Sequence, residues 1–385
     1  MKMPFDFDTP INRRGTACLK WDIYKERDVL PMWVADMDFA SPPAVLAALH
    51  NRVDHGVFGY NLTPGALEET IIERLRVRHK WDVQPDWIVW LPGLVTGLNI
   101  TCRAVASPGE AIITTTPAYP PFLSAPKLAG CELITIEHPN IDKAYGIDFE
   151  EIKDAITPNT KLFVLCNPHN PTGRVFTRKE LLNLAEICLN RNLIICADEI
   201  HCDLVLDADK NHISIASLDK TIAARTITLL APSKTFNLPG LGCSLAIIPD
   251  KELRTRFENI MHGIVPHVNT MGFIAALAAY RDSEGWRMEL IDYLRKNRDL
   301  VESFIGSSPV LSMNHVEATY LAWIDARKLE VPHIYSFFEQ AGVGLSDGAD
   351  FGCPGFMRLN FGCHRATLEM GLRRMAAAIS KISQG

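Results

Sequence analysis

The chain has 385 residues, of which 47% are hydrophobic and 22% charged, and its formal net charge is -6. These are ordinary values for a folded globular protein and exclude a disordered, fibrous or strongly basic class. The length predicts about two domains and a core large enough to enclose a buried site.

In chain order, the opening "MKMPFDFDTPINRRGT" (1–16) has no apolar segment of the secretory kind. No later stretch approaches the roughly 18 uninterrupted apolar residues of a membrane helix. The run "ERLRVRHK" (73–80) alternates charge with apolar positions, which predicts a solvated helix face and no nucleic-acid partner. Seven short apolar runs follow as candidate strands: 87–91, 111–116, 132–136, 161–166, 193–198, 226–231 and 244–249. Helix-period segments separate them, the pattern of a parallel sheet with crossover helices. In one crossover, Thr177 and Glu180 form a capping box ahead of an apolar face built from Leu181, Leu184, Ala185 and Cys188, predicting a helix over 178–191. Beyond the sheet come a long amphipathic helix at 284–305, a strand within 319–326, a helix near 332–341 and a last helix from 366. The expected fold is therefore α/β, a mostly parallel seven-stranded sheet flanked by helices, with a smaller α+β domain. The large domain is placed at 46–280, and residues 1–45 join 281–385 in the small one. Ten cysteines at irregular separations include no CxxC pair, and Cys166, Cys188 and Cys196 lie inside apolar runs. They read as reduced thiols, and with no leader or span the expected location is cytoplasmic.

Three polar features fall at the carboxyl ends of predicted strands: "NPHNPTG" after 161–166, Asp198 closing 193–198, and Lys234 shortly after 226–231. In a parallel α/β sheet this edge forms the ligand crevice. Taken singly, Asp198 is an ordinary turn-capping carboxylate, Lys234 a surface lysine and Asn170 a turn residue. Together they match the demands of pyridoxal 5'-phosphate: an amine for a Schiff base, a carboxylate to keep the pyridine nitrogen protonated, and a neutral donor at the ring oxygen. A metal centre is not expected, since the twelve histidines are scattered and no HExxH occurs. The G-x-S-x-G elbow of a serine hydrolase is also absent.

At these residues the chain resembles the fold-type-I pyridoxal phosphate enzymes of the aspartate aminotransferase superfamily. "NPHNPTGRVFT", "ADEIH", "APSKTFNLPGLG" and "FMRLNFG" look like its signatures in order. "LPMWVADMDFASPPAV", "FGYNLTPGALEETI", "TTPAYPPF" and "ADEIHCDLVL" resemble the MalY/PatB-like cystathionine β-lyases, the carbon-sulfur lyase branch. The resemblance implies that Lys234 binds the cofactor and then removes the substrate Cα proton. It also implies that Asp198 pairs with the pyridinium, that Asn170 donates to the ring oxygen, and that Tyr119 stacks on the ring and protonates the leaving thiolate. His201 stands where relatives often carry a tyrosine, as a cofactor contact or a support behind one. The cofactor phosphate is assigned to the backbone of Leu94 and Val95 at a helix start and to the Ser233 hydroxyl. Gly242 replaces an arginine usual in aminotransferases. Tyr60 is assigned to the phosphate of a neighbouring subunit, which implies a homodimer. Arg358, assisted by Asn167 and the backbone at Ala35, is assigned to the substrate carboxylate. The implied reaction is α,β-elimination from cystathionine or a cysteine-like amino acid to thiol, pyruvate and ammonia. Two alternatives stand beside it: an aminotransferase, and a pyridoxal phosphate protein that binds a regulator and has secondary lyase activity.

Overall fold

The computed structural model describes residues 5–141 and 144–382. Its central sheet has seven strands: β1 (Ile88–Leu91), β2 (Ala111–Thr116), β3 (Glu132–Glu137), β4 (Thr160–Cys166), β5 (Ile194–Asp198), β6 (Thr226–Leu230) and β7 (Ser244–Ile247). Their order across the sheet is β1-β7-β6-β5-β4-β2-β3. Strand β7 runs antiparallel to both its neighbours, and the other adjacent pairs are parallel. All seven expected strands are present, with ends within about two residues of their predicted positions.

Side chains along a strand alternate between the faces of the sheet, and each face has its own core. Leu162, Val164 and Cys166 of β4 pack with Leu98, Cys102 and Phe122 on one side. Phe163 and Leu165 pack with Leu181, Leu184 and Cys188 on the other. The first layer is formed by helix α1 (Leu94–Val105) and α2 (Pro120–Leu128), and the second by α3 (Arg178–Asn190), whose capping box of Thr177 and Glu180 is in place.

The C-terminal part holds α4 (Thr270–Asp282), α5 (Glu284–Gly306), a four-stranded antiparallel sheet and α6 (Arg365–Ile382). That sheet comprises β8 (Ser312–Met313), β9 (Leu321–Asp325), β10 (Ser346–Asp347) and β11 (Phe356–Asn360), in the order β8-β9-β11-β10. The N-terminal segment packs against this part, where Leu30–Pro31 pairs in parallel with Val343–Gly344. Phe7, Met32, Met37 and Phe39 share its core with Leu290, Leu294, Leu359 and Met375. Among the described residues no helix is long and apolar enough to cross a membrane.

The basic run differs from expectation. Its helix, Gly65–His79, leaves Arg76 on the surface with Glu73, but turns Arg74 and Arg78 toward Asp203 at 2.9 and 3.1 Å. Both also reach Glu284, at 3.2 and 2.9 Å. Asp203 is buried; although burial opposes its charge, Arg74 and Arg78 hold its carboxyl well below the ordinary range. The partner carboxylates lie far along the chain, so the local pattern of the run does not reveal them. Asp203→Ala leaves two cations without their buried partner, and an unfolding free energy lower by about 3–5 kcal/mol is expected in a denaturant titration.

Candidate active site

The carboxyl edge of the parallel strands is where the polar residues meet. In register, Cys166 of β4 lies opposite Asp198 of β5, and Asp198 lies opposite Leu229 of β6. The loop carrying Asn170, the Asp198 carboxylate and the turn carrying Lys234 therefore leave from adjacent strands. Beside them α1 begins at Leu94, with no side-chain cap on Gly93. The amides of Leu94, Val95 and Thr96 come before the first intrahelical bond, from Gly97 to Gly93, and remain free for a ligand. A Cβ on Gly97 would lie 2.8 Å from Leu91 and 3.1 Å from Leu229. The missing side chain lets this helix lie close on the sheet and brings its positive end to the strand termini.

These elements enclose a cavity of about 300 Å³ lined by Ala35, Leu94, Val95, Tyr119, Asn170, Asp198, His201, Ser233, Lys234 and Arg358, together with residues not singled out from the sequence. Ten of the twelve expected site residues thus converge. Lys234 Nζ donates to the Ala35 carbonyl at 2.7 Å. Burial, reinforced by the Arg358 charge, pulls its amine down from 10.5 to about 8. Asp198 accepts from the Ile200 amide at 3.1 Å, and burial pushes its carboxyl up to about 6. His201 is buried with no partner for Nδ1; burial, then the Lys234 and Arg358 charges, lower it to about 3, so its ring is neutral near pH 7. Tyr119 caps the start of α2, and burial raises its phenol.

Arg358 enters from β11 of the small sheet. It donates to Asn170 Oδ1 at 3.0 Å, the Trp33 carbonyl at 2.8 Å and Ser346 Oγ at 3.3 Å. Its guanidinium carbon sits 4.8 Å from the Phe351 ring centre, and Nε has no partner. Burial lowers it to about 10, which still leaves it charged at neutral pH.

Two expected residues do not reach the cavity. Asn167 is buried, but its Oδ1 accepts from the Phe176 amide at 3.1 Å and its Nδ2 donates to the Ile213 carbonyl at 3.3 Å. It therefore braces the loop that carries Asn170. The first Asn-Pro of "NPHNPTG" is spent on backbone groups and the second faces the site, a choice made by the direction of the loop. Tyr60 does not line the cavity of its own chain and is wholly solvent-exposed at 109%. Gly242 is left-handed (φ +58°), and a Cβ there would meet the Pro92 carbonyl at 3.0 Å, so no arginine fits without strain.

Sequence reading missed Thr96, Cys166 and Tyr320. Thr96 lies in the same "PGLVTGL" as Leu94 and lines the cavity, as does Cys166, whose Sγ accepts from the Asn170 amide at 3.5 Å. Tyr320 is buried and donates to the same Ala35 carbonyl as Lys234, at 3.0 Å. Only its place at the start of an apolar strand hinted at it. Elsewhere, ligand atoms of His79, Cys202 and Asp203 come within 4.8 Å of one another. There Asp203 is already held by Arg74 and Arg78.

An isolated amine against a buried carboxylate, a neutral imidazole, an aromatic wall and an open helix N-terminus fit the imine, pyridine and phosphate of pyridoxal 5'-phosphate. The cavity is that of a fold-type-I pyridoxal phosphate enzyme. Comparison with known proteins narrows the class: residues 27–375 match the family model of class I and II aminotransferases, and the chain belongs to that family. Within it the chain is similar to cystathionine β-lyase PatB of Bacillus subtilis (strain 168), 39% identical over 387 residues that cover 97% of this chain and 100% of PatB. Among solved structures it is similar to OvoB, with a TM-score of 0.96 and 46% identity over 97% of this chain and 99% of that one. It is also similar to cystalysin from Treponema denticola, which contains a pyridoxal 5'-phosphate cofactor, with a TM-score of 0.95 and 33% identity over 99% and 100%.

The depressed Lys234 amine can be read directly in the cofactor-free chain. Acylation of Lys234, followed by mass spectrometry across pH, is expected to reach half its limiting rate near pH 8, whereas an ordinary lysine does so near 10.5. The amine is reactive only when deprotonated, so labelling rises with pH through that midpoint.

Proposed function

We propose that the chain is a carbon-sulfur β-lyase that eliminates the thiol from cystathionine or a cysteine-like amino acid. The observation that carries this reading is the charge pattern of the cavity: Arg358 is the one guanidinium and Lys234 the one amine among the residues lining it. Val34, Phe122, Ile200 and Pro239 supply apolar wall beside them. Such a site binds one α-carboxylate and sets the carbon-sulfur part of the side chain against carbon, with no second cation for an acidic side chain such as that of aspartate; the distal end of cystathionine is a zwitterion of zero net charge and needs none. The similarity to PatB, a protein named as a cystathionine β-lyase, supports the same reading.

When bound, pyridoxal phosphate supplies an electron sink conjugated to the substrate Cα. The chain supplies the rest. Arg358 takes the α-carboxylate through two parallel hydrogen bonds, and Asn170, bonded to the guanidinium, sets its plane. The Asp198 carboxylate, unfavourable alone in this dry pocket, would hold the pyridine nitrogen of the cofactor in its protonated form. The amides of Leu94, Val95 and Thr96 and the Ser233 hydroxyl would hold the phosphate, the helix start taking over the task of the arginine absent at Gly242. With the cofactor held, the Lys234 amine, of lowered basicity, would take the substrate Cα proton. The carbon-sulfur bond then breaks, the sulfur keeps the electron pair, and the Tyr119 phenol protonates it. The enamine hydrolyses to pyruvate and ammonia. Neutral His201 supports the ring-oxygen side without adding charge.

The exposed Tyr60 belongs to a segment in which Val57, Phe58 and Leu62 are also exposed. We assign this segment to a second copy of the chain, with Tyr60 reaching the partner's phosphate site. The ten cysteines, all free and mostly buried, suit a reducing cytoplasm.

A panel of amino acids followed for pyruvate, thiol and cofactor absorbance tests the reaction. Pyruvate and thiol in equal amounts from cystathionine are expected. Conversion to a 2-oxo acid without thiol release would instead make the chain an aminotransferase, and no turnover by a cofactor-loaded protein would favour the regulator-binding alternative. Arg358→Ala should lower kcat/KM roughly 100-fold or more, the worth of a two-bond charge-assisted clamp. Tyr60→Ala should weaken cofactor retention, read as faster loss of visible absorbance during dialysis.

A further inference from the structure

The segment Trp33–Asp38 touches both reactive ends of the cavity while its own anchors lie outside it. The Trp33 carbonyl accepts from Arg358, and the Ala35 carbonyl accepts from Lys234 and Tyr320. Neither Arg13, Lys20 nor Asp38 lines the cavity. Lys20 is 1% exposed and Asp38 3%, and their charged ends are 2.8 Å apart. Lys20 Nζ also donates to the Asp36 carbonyl at 3.1 Å. Arg13 forks onto Asp36 at 3.1 and 2.8 Å and reaches Asp38 at 2.6 Å and the Met37 carbonyl at 3.2 Å. The Trp21 indole donates to Asp38 at 2.8 Å. Two cations and two anions thus balance, and both cations bond to groups of residues 36–38.

A buried lysine is kept only where something compensates its desolvation, and surface pairs cost far less to build. This cluster sits directly behind a stretch of backbone whose carbonyls grip the two cations of the active site. We propose that Arg13, Lys20, Asp36 and Asp38 form a positioning device that locks Trp33–Asp38 and so sets the separation between the Lys234 amine and the Arg358 guanidinium. They are positioning residues and touch neither substrate nor cofactor. The proposal rests on the assignment of Lys234 and Arg358 made above, but holds whether the reaction is elimination or transamination.

Lys234 is faced by Arg358, which disfavours its proton, and by Asp36 and Asp198, which favour it; the neighbouring His201 ring is neutral. If the segment loosens, the amine loses the Ala35 acceptor and the nearby Asp36 charge, and its proton affinity falls. Arg358 loses the Trp33 carbonyl that orients it, so the substrate carboxylate binds less well.

The test uses Lys20→Met and Lys20→Arg. The pH midpoint of Lys234 acylation is read by mass spectrometry in the cofactor-free chain, where the amine is free, and KM and kcat are measured on the holoenzyme with whichever amino acid the unaltered chain converts. Lys20→Met is expected to move the midpoint down by about one unit and raise KM about tenfold, with kcat changed less than about threefold. Lys20→Arg should restore most of both, because it returns the charge. A merely structural cluster would lower the melting temperature and leave the midpoint and KM at their original values, which overturns the proposal. Should Lys20→Met fail to fold, Arg13→Gln, at a side chain 23% exposed, is read in the same way, and an unmoved midpoint is equally decisive. Failure of the lyase reading changes the products but not the midpoint, so the two outcomes are separable.

Discussion

Holding Lys234, Asp198 and Arg358 together out of water is the constraint on which the rest of the structure depends. An unpaired charge in such a place is costly, and all three groups shift toward neutrality: the amine to about 8, the carboxyl to about 6 and the guanidinium to about 10. Oriented oxygens, the carbonyls of Trp33 and Ala35 and the Asn170 amide, bond the two cations directly, with Asp36 and Asp198 acting on Lys234 as nearby negative charges. Opposite charges in direct contact would quench the amine that the chemistry uses. The same low dielectric makes each remaining dipole, above all the open start of α1, count for more than it would in solvent.

The architecture serves that arrangement from two sides. The parallel strands bring Asn170, Asp198 and Lys234 to one edge because crossover connections leave the sheet there, and register sets them side by side. The small sheet contributes Arg358 from the opposite wall, on a strand paired with Trp323 and Ser346. Between them runs the N-terminal segment, which pairs with Val343–Gly344 and reaches the site through its carbonyls. A site assembled from three separate stretches of chain needs rigid spacing, and the buried ion cluster behind Asp36 supplies a means of holding it.

Much of this was legible in the residues. Strand runs with period-two faces, the Thr177–Glu180 capping box and the amphipathic 284–305 helix are local patterns, and local geometry obeyed them. The ordered set "NPHNPTG", "ADEIH" and "APSKTF" carries its own chemistry, since few sites require an amine, a carboxylate and an amide at successive strand ends. Where reading failed, the deciding partner lay far along the chain. Arg74 and Arg78 resembled a solvated face because Asp203 and Glu284 are remote in sequence. Asn167 was expected beside the substrate carboxylate, and only the path of the loop turns its side chain toward backbone groups while Asn170 faces Arg358.

By itself the sequence determined the sheet-and-helix alternation, the family and the chemical identity of the reacting groups, because periodicity and residue type are properties of short stretches. Tertiary structure alone decided which groups share a cavity, how far each is removed from water, and which polar atoms are already spent on partners. It also decided that a side chain at Gly242 would be strained and that Tyr320 shares an acceptor with Lys234. Those outcomes depend on distances between segments hundreds of residues apart, and only packing sets such distances.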